Sequence, residues 1–519
     1  MEAPCGGTGT CGKCKVRLQS PGAHPADENL IAFFNAEQIA DGWRLACLYK
    51  VNTDIYVDLP PQSSVSNIVS QGYMKNFVHA PYARKVLNTG GNADLHLGNN
   101  IEAVNVANST ASCCGVAIDL GTTTVVASLV DLNGGREIDT LSCPNGQKAF
   151  GQDVITRIHY AGTNSGGTEI LQKAIIKDLR NLLNALCRRH NLTMDNIYDV
   201  TVAANATMIH LLAGISPESM GKSPYMPAFQ GVLSLSGLDL GLPVSPYCRV
   251  YCLPAVSSFV GGDITAGILA CGLEDPSEKT LFIDIGTNGE IVLADGEHFC
   301  SCSCAAGPAL EGMNISCGVQ AAQGAIEDLF IDEHTVQYTT IGGEPANGIC
   351  GSGLLAAVAE MRRTGIIDKS GRLLSHSLVK TVAGKKRFII DDKQNIYLTQ
   401  QDIRQVQLAK GAILSGIYTL LKTVGIKATE LQRVVVAGQF GAHLKADSLI
   451  GSGLLLPEWE EIISYAGNTS KSGALICLLS YPERTVVEAI AKNIEYIELA
   501  QLEGYETLFV KCMQFDPSA

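Results

Sequence analysis

Two groups of residues in this chain have the types and spacing to do chemistry. The first is Cys5, Cys11 and Cys14, a C-x5-C-x2-C run inside Cys-Gly-Gly-Thr-Gly-Thr-Cys-Gly-Lys-Cys, with Cys47 further on. Glycines and small hydroxyl residues let such a loop wrap tightly and aim backbone N–H groups at sulfur. With a remote fourth thiolate, the pattern is one for holding iron and sulfide. The second group is Ile118-Asp119-Leu120-Gly121-Thr122, which returns 165 residues later as Ile283-Asp284-Ile285-Gly286-Thr287. In an Asp-x-Gly-Thr turn, glycine admits a phosphate close to the backbone, hydroxyls and N–H groups donate to it, and the aspartate holds a hydrated Mg²⁺. The expectation is that Asp119 and Asp284 organise the cation. Gly121, Thr122, Thr123 and Thr124, with Gly286, Thr287, Asn288 and Gly289, would then grip phosphates.

Each turn must sit at the tip of a hairpin, and the alternating apolar runs on either side supply the strands, Gly115 to Leu120 with Val125 to Leu132 and Leu281 to Ile285 with Glu290 to Ala294. A duplicated hairpin predicts two similar α/β lobes facing one another. Two further glycine turns at helix starts, Gly351-Ser352-Gly353 and Gly438-Gln439-Phe440-Gly441, can offer N–H groups to a ribose, phosphate or adenine edge. Thr399, Asp402 and the apolar spacing from Ile403 to Val424 predict a long core helix that stops at Gly425.

Composition narrows the function classes. With 519 residues the chain exceeds one hydrophobic core. Its 38 Lys+Arg against 51 Asp+Glu give a net charge of −13, which argues against nucleic acid or anionic lipid as a partner. No stretch reads as a membrane span or signal peptide, so a cytoplasmic location is expected, where the 18 cysteines would stay thiols unless they bind metal or react. Cys300, Cys302 and Cys304 share one face of a strand and read as small buried apolar residues, as does the Cys113-Cys114 pair. Met208 and Met226 read as core, and His159, His210 and His443 as ordinary hydrogen-bonded histidines. Glu311 is read equally as a contact to Mg²⁺ or to a partner and as a structural carboxylate.

The expected organisation is residues 1–64 as a cysteine module, 65–112 as a linker or shortened middle segment, 113–276 as the first lobe and 277–519 as the second. Residues 1–64 resemble the second half of a 2Fe-2S ferredoxin of the β-grasp type. Only four residues precede Cys5, so the chain reads as N-terminally truncated. From Asp119 to Thr124, Asn145-Gly146-Gln147, Val260-Gly261-Gly262-Asp263, Asp284 to Glu290, Ala305 to Gly312, Gly348 to Gly353 and Leu398 to Ala412, the chain resembles the acetate and sugar kinase, heat-shock chaperone and actin superfamily. Within it, the chain is most similar to the reductive activators of corrinoid-dependent methyltransferases. Gln439 departs from the glycine usual at its position there.

That resemblance implies ATP between two ribonuclease-H-like lobes, a 2Fe-2S cluster on Cys5, Cys11, Cys14 and Cys47, and Asp263 or Gln147 orienting the attacking water. It implies an ATP-dependent electron transfer that returns a corrinoid protein from Co(II) to Co(I), with a separate electron donor to the cluster. A homodimer is compatible with it. Three other functions compete: a small-molecule kinase of the same fold, a non-redox nucleotide-gated module, and an activator of a 2-hydroxyacyl-CoA dehydratase. The first gives no role to the cysteine loop, the second makes the cysteine module only a docking surface, and the third needs a cluster shared across a dimer.

Overall fold

The computed structural model describes residues 14–19, 33–34, 36–51, 54–58, 72–87, 93–98, 104–106, 112–274, 278–286, 288–296, 298–382, 384–438 and 444–516. Both expected hairpins are present, each inside a six-stranded mixed sheet. In the first, Cys114–Leu120 pairs antiparallel with Thr124–Asp131, which pairs antiparallel with Arg136–Pro144. On the other side of Cys114–Leu120 lie Ile197–Ala204 and Arg249–Ala255 in parallel, and then Gly231–Ser236 antiparallel at the edge. In the second sheet, Lys279–Ile285 pairs antiparallel with Gly289–Asp295, which pairs antiparallel with His298–Cys304. Arg433–Ala437 and Ile463–Gly467 continue it in parallel on the other side, and Ile494–Tyr496 closes the edge. Strand Ile197–Ala204 is buried along its whole length, and its polar Asp199 and Thr201 are partnered there: Asp199 meets Arg484, and the Thr201 hydroxyl donates to the Ala474 carbonyl.

The two sheets are joined by helices that cross between them. Helix Gly262–Cys271 and helix Thr469–Leu479 share one apolar cluster that takes in Ala117, Ala203 and Leu253 from the first sheet and Phe282, Val292 and Val435 from the second. The crossing is close because it is made on glycines. A Cβ on Gly473 would stand 2.3 Å from the Ala266 carbonyl oxygen, and one on Gly267 would stand 2.6 Å from the Phe282 ring. Behind this crossing, helix Tyr481–Asn493 sends Arg484 into the first lobe. There its guanidinium meets buried Asp199, donates through Nε to the Cys477 carbonyl at 2.9 Å and lies over Tyr251 at 4.6 Å. Removing one partner of such a buried pair costs about 3–5 kcal/mol.

The long helix forms as the sequence predicts, over Gln400–Val424. Thr399 and Asp402 make a reciprocal capping box, and Gly425 ends the helix in the left-handed region at φ 80°. The described part of 65–112 is not a bare tether. Ala83–Leu87, Ala93–Leu97 and Val104–Val106 form an antiparallel sheet that buries Ala83, Ala93 and Leu95. A strap ahead of it is laced across both lobes: Tyr73 donates its N–H to the Ala466 carbonyl, Lys75 to that of Ala270 and Ala80 to that of Leu479. The weak periodicity of this segment hid a strap whose partners lie hundreds of residues away. Met226, expected in the core, is 54% exposed on a surface loop. Among the described residues no helix is long and apolar enough to cross a membrane.

Candidate active site

The first turn, residues 121–123, is held from behind by three side chains. Asn145 donates to the Gly121 carbonyl at 2.9 Å, Arg157 to the Thr122 carbonyl at 2.6 Å, and Asn205 to the Thr122 hydroxyl at 3.0 Å. The glycine is required, since a Cβ on Gly121 would stand 2.7 Å from the Thr124 carbonyl oxygen. The second turn is closed by its glycine in the same way but one residue sooner: Gly286 N–H donates to the Asn288 carbonyl at 2.9 Å, where Gly121 N–H donates to that of Thr124 at 3.0 Å. Beside it the strand Arg433–Ala437 ends on Gly438, at φ 93°, where a Cβ would stand 2.8 Å from Asp284 Oδ1. Only glycine lets the chain pass that close to the carboxylate.

Four carboxylates from both lobes face one another between these turns: Asp119, Asp263 in the first turn of helix Gly262–Cys271, Asp284 and Glu290. Each retains some solvent exposure, yet burial is the first cause of its raised pKa. Asp263 is pushed up to about 7 by burial and then by the charge of Asp119, and Asp284 to about 7 by burial and the charges of Asp263 and Asp119. Glu290 is raised well above the usual range, again by burial first and then by Asp263 and Asp284. Asp119 is raised less, because Asn468 and Ser470 donate to its two oxygens at 2.8 Å each.

Neither Asp263 nor Asp284 has a cationic partner among the described residues, so the site carries repulsion that a cation would relieve. Among the described residues no three His, Cys, Asp or Glu side chains converge closely enough to grip a bare ion. That donor set fits Mg²⁺, which keeps several waters and shares its remaining positions with phosphate oxygens.

The structure brings Asp119, Asp263 and Asp284 together with Gly121–Thr124, Gly286, Asn288, Gly289 and Gly438. It removes Gln147 from the water-orienting role. Its side chain is buried, donating to the Leu171 carbonyl at 3.0 Å and accepting from Arg157 at 3.2 Å, so Gln147 braces the first turn. Gly351, Ser352 and Gly353 form the buried first turn of helix Gly351–Arg363, and Gly353 packs against the Ile326 carbonyl. Thr287, Gln439, Phe440, Gly441 and His443 lie outside the described residues, as do Cys5 and Cys11. Cys14 and Cys47 lie together in one small core, with the Cys47 N–H directed at Cys14 Sγ at 3.5 Å, the N–H···S arrangement a cluster loop requires.

Cys300, Cys302 and Cys304 are buried against the long helix, as apolar packing requires. His210 is a structural histidine, bonded to the Ala206 carbonyl and the Ala228 N–H. Sequence reading missed Asn468 and Ser470. Their signal was a run of capping residues, Asn468-Thr469-Ser470, ahead of an apolar helix, but nothing local in it points to Asp119.

Residues 278–518 match the family described as the C-terminal domain of RACo, the ASKHA domain, and residues 114–276 match that described as the RACo middle region. The corrinoid activation enzyme RamQ of Eubacterium limosum is 35% identical over 403 residues, 74% of this chain and 68% of that protein. The chain belongs to the RACo family. The Methanosarcina barkeri reductase of the Co(II) methylated amine-specific corrinoid protein is 25% identical over 429 residues, 76% of each chain. A solved reductive activator for corrinoid, iron-sulfur protein superposes with a TM-score of 0.75 at 32% identity, covering 99% of this chain and 93% of that one. The twin-lobed architecture is that of this RACo relative, an α/β fold carrying the actin-like ATPase domain.

Proposed function

We propose that this RACo-family chain is an ATP-dependent reductive activator that returns the Co(II) corrinoid of a methyltransferase's corrinoid protein to Co(I). The electron arrives through the N-terminal cysteine module from a separate donor. The observation that carries this reading is the meeting of two phosphate-type turns, one from each lobe, around four mutually repelling carboxylates. Asp119 and Asp284 hold the hydrated Mg²⁺ of ATP, with Glu290 behind them. Thr122, Thr123, Thr124 and Asn288 donate to phosphates, joined by Thr287. Asp263 is poised near neutrality to orient the attacking water. Gly438 to Gly441 and Gly351 to Gly353 take the adenosine side.

A 2Fe-2S cluster on Cys5, Cys11, Cys14 and Cys47 would supply one-electron capacity when bound. The protein must supply the uphill drive. For a one-electron step about 59 mV is a tenfold change in equilibrium, about 1.4 kcal/mol, so a gap of a few hundred millivolts needs several kcal/mol of coupled energy. Closing two lobes on a nucleotide provides energy on that scale, and the crossing of helices Gly262–Cys271 and Thr469–Leu479 is where closure must pivot. Replacing Asp119 or Asp284 with Ala should abolish ATP turnover while the visible cluster spectrum stays. Loss of both together would contradict this division of labour, and stoichiometric phosphorylation of a metabolite would make the chain a kinase instead.

A further inference from the structure

Asp119 differs from the other three carboxylates in being held by side chains from the far end of the chain. Strand Ile463–Gly467 belongs to the second sheet and runs directly into Asn468, the N-cap of helix Thr469–Leu479. Asn468 Oδ1 accepts from the Lys471 N–H at 2.9 Å, which fixes the amide so that Nδ2 points at Asp119 Oδ2, while the Ser470 hydroxyl takes Oδ1. Both oxygens of a first-lobe carboxylate are therefore oriented by a turn attached to the second lobe.

The same turn is backed by the strap. Gly72 pairs with Gly467 across an antiparallel bridge, and a Cβ on Gly72 would stand 2.3 Å from the Asn468 carbonyl oxygen and 2.7 Å from Ser472 Oγ. Backbone cannot give way cheaply there. The strap is the segment that leads from the cysteine module to the ATPase lobes, and from Gly72 it continues to Lys75, which bridges Glu274 and Glu483, and to His79 on the Leu132 carbonyl.

We propose that Asn468 and Ser470 are positioning residues that set Asp119 for the nucleotide's cation, and that Gly72 backs their turn so that strap and nucleotide site shift together. The proposal rests on the reading of Asp119 as a cation-organising carboxylate. It makes the strap the mechanical link between ATP and the electron-carrying module.

The test is the Mg²⁺ dependence of ATP turnover in the full chain. Asn468→Ala and Ser470→Ala each remove a hydrogen bond to a charged group. They should raise the Mg²⁺ concentration for half-maximal turnover roughly tenfold or more, with a smaller loss of rate at saturating Mg²⁺. Ser470→Thr keeps the hydroxyl and should restore the wild-type value. Gly72→Ala leaves every side chain that bonds Asp119 in place and presses only on the Asn468 backbone and Ser472 Oγ, yet should shift the Mg²⁺ dependence in the same direction. In the wild-type chain, hydrogen exchange at the Tyr73 amide should slow on adding Mg-ATP, a readout that does not depend on any variant folding. Lower turnover in Asn468→Ala at all Mg²⁺ concentrations, with no shift in half-saturation, would make the turn merely structural and overturn the positioning role. Unchanged exchange at Tyr73 would overturn the strap's part. An Asp119→Ala chain that still turns over ATP would instead sink the underlying site reading.

Discussion

Asp263 and Asp284 show at the residue scale what the site stores. A carboxyl raised to about 7 in the folded protein, against about 3.9 in the unfolded chain, favours folding in its protonated form. Its stabilising share is fully present below the unfolded value and is lost as pH rises through the folded one. Without nucleotide, wild-type stability therefore falls between about pH 4 and pH 7 on account of these groups, while an amide at the same place does not titrate. Asp263→Asn should melt higher than wild type at pH 8, by on the order of 2 kcal/mol in stability, with a gap that narrows at pH 5. A gap that is equal at the two pH values would show that Asp263 is not held under this repulsion. Mg-ATP should shrink the difference, because the cation takes over the neutralising role.

At the element scale, the proposed closure of the lobes puts its pivot at the crossing of helices Gly262–Cys271 and Thr469–Leu479. Gly473 brings the helices into backbone contact with Ala266, and a larger residue must push them apart. Gly473→Val should cost about 1–3 kcal/mol of stability by overpacking and should weaken ATP binding. Urea unfolding and nucleotide titration measure the two effects. Intact ATP binding in a folded Gly473→Val chain would place the pivot elsewhere.

Much of this scale was legible in the sequence. The twin hairpins announced themselves through alternation around Gly121 and Gly286, and the long helix through Thr399, Asp402 and Gly425, because each signal is local and periodic. Gln147 was misread because its residue type suits water but its surroundings, Leu171 and Arg157, come from later helices. Asn468 and the strap escaped notice for the same reason: their meaning lies in contacts with Asp119 and Ala466, which no local pattern encodes. Met226 was misassigned because an apolar side chain beside aromatic and proline residues in a loop looks, in sequence, like core.

At the scale of the whole molecule, three parts are joined in series: a small cysteine module with Cys14 and Cys47 in contact, a strap and sheet laced over both lobes, and the twin-lobed ATPase fold. The seams are closed by long-range pairs rather than by local ones. Arg484 reaches Asp199, Lys471 reaches Glu137 at 2.7 Å, and Thr201 donates to the Ala474 carbonyl at 2.7 Å, each tying the C-terminal helices to the first sheet. Such wiring suits a machine in which nucleotide closure must be felt far from the phosphates. The most direct measurement is the visible spectrum of the chain's corrinoid protein, mixed with the chain and a low-potential reductant under anaerobic conditions, with and without Mg-ATP. The Co(II) absorption should give way to that of Co(I) with Mg-ATP and wild-type chain, and should persist when nucleotide is omitted or Asp284→Ala is used. Equal reduction without nucleotide, or by Asp284→Ala, would contradict the claim that the clasp between the two turns drives the electron uphill.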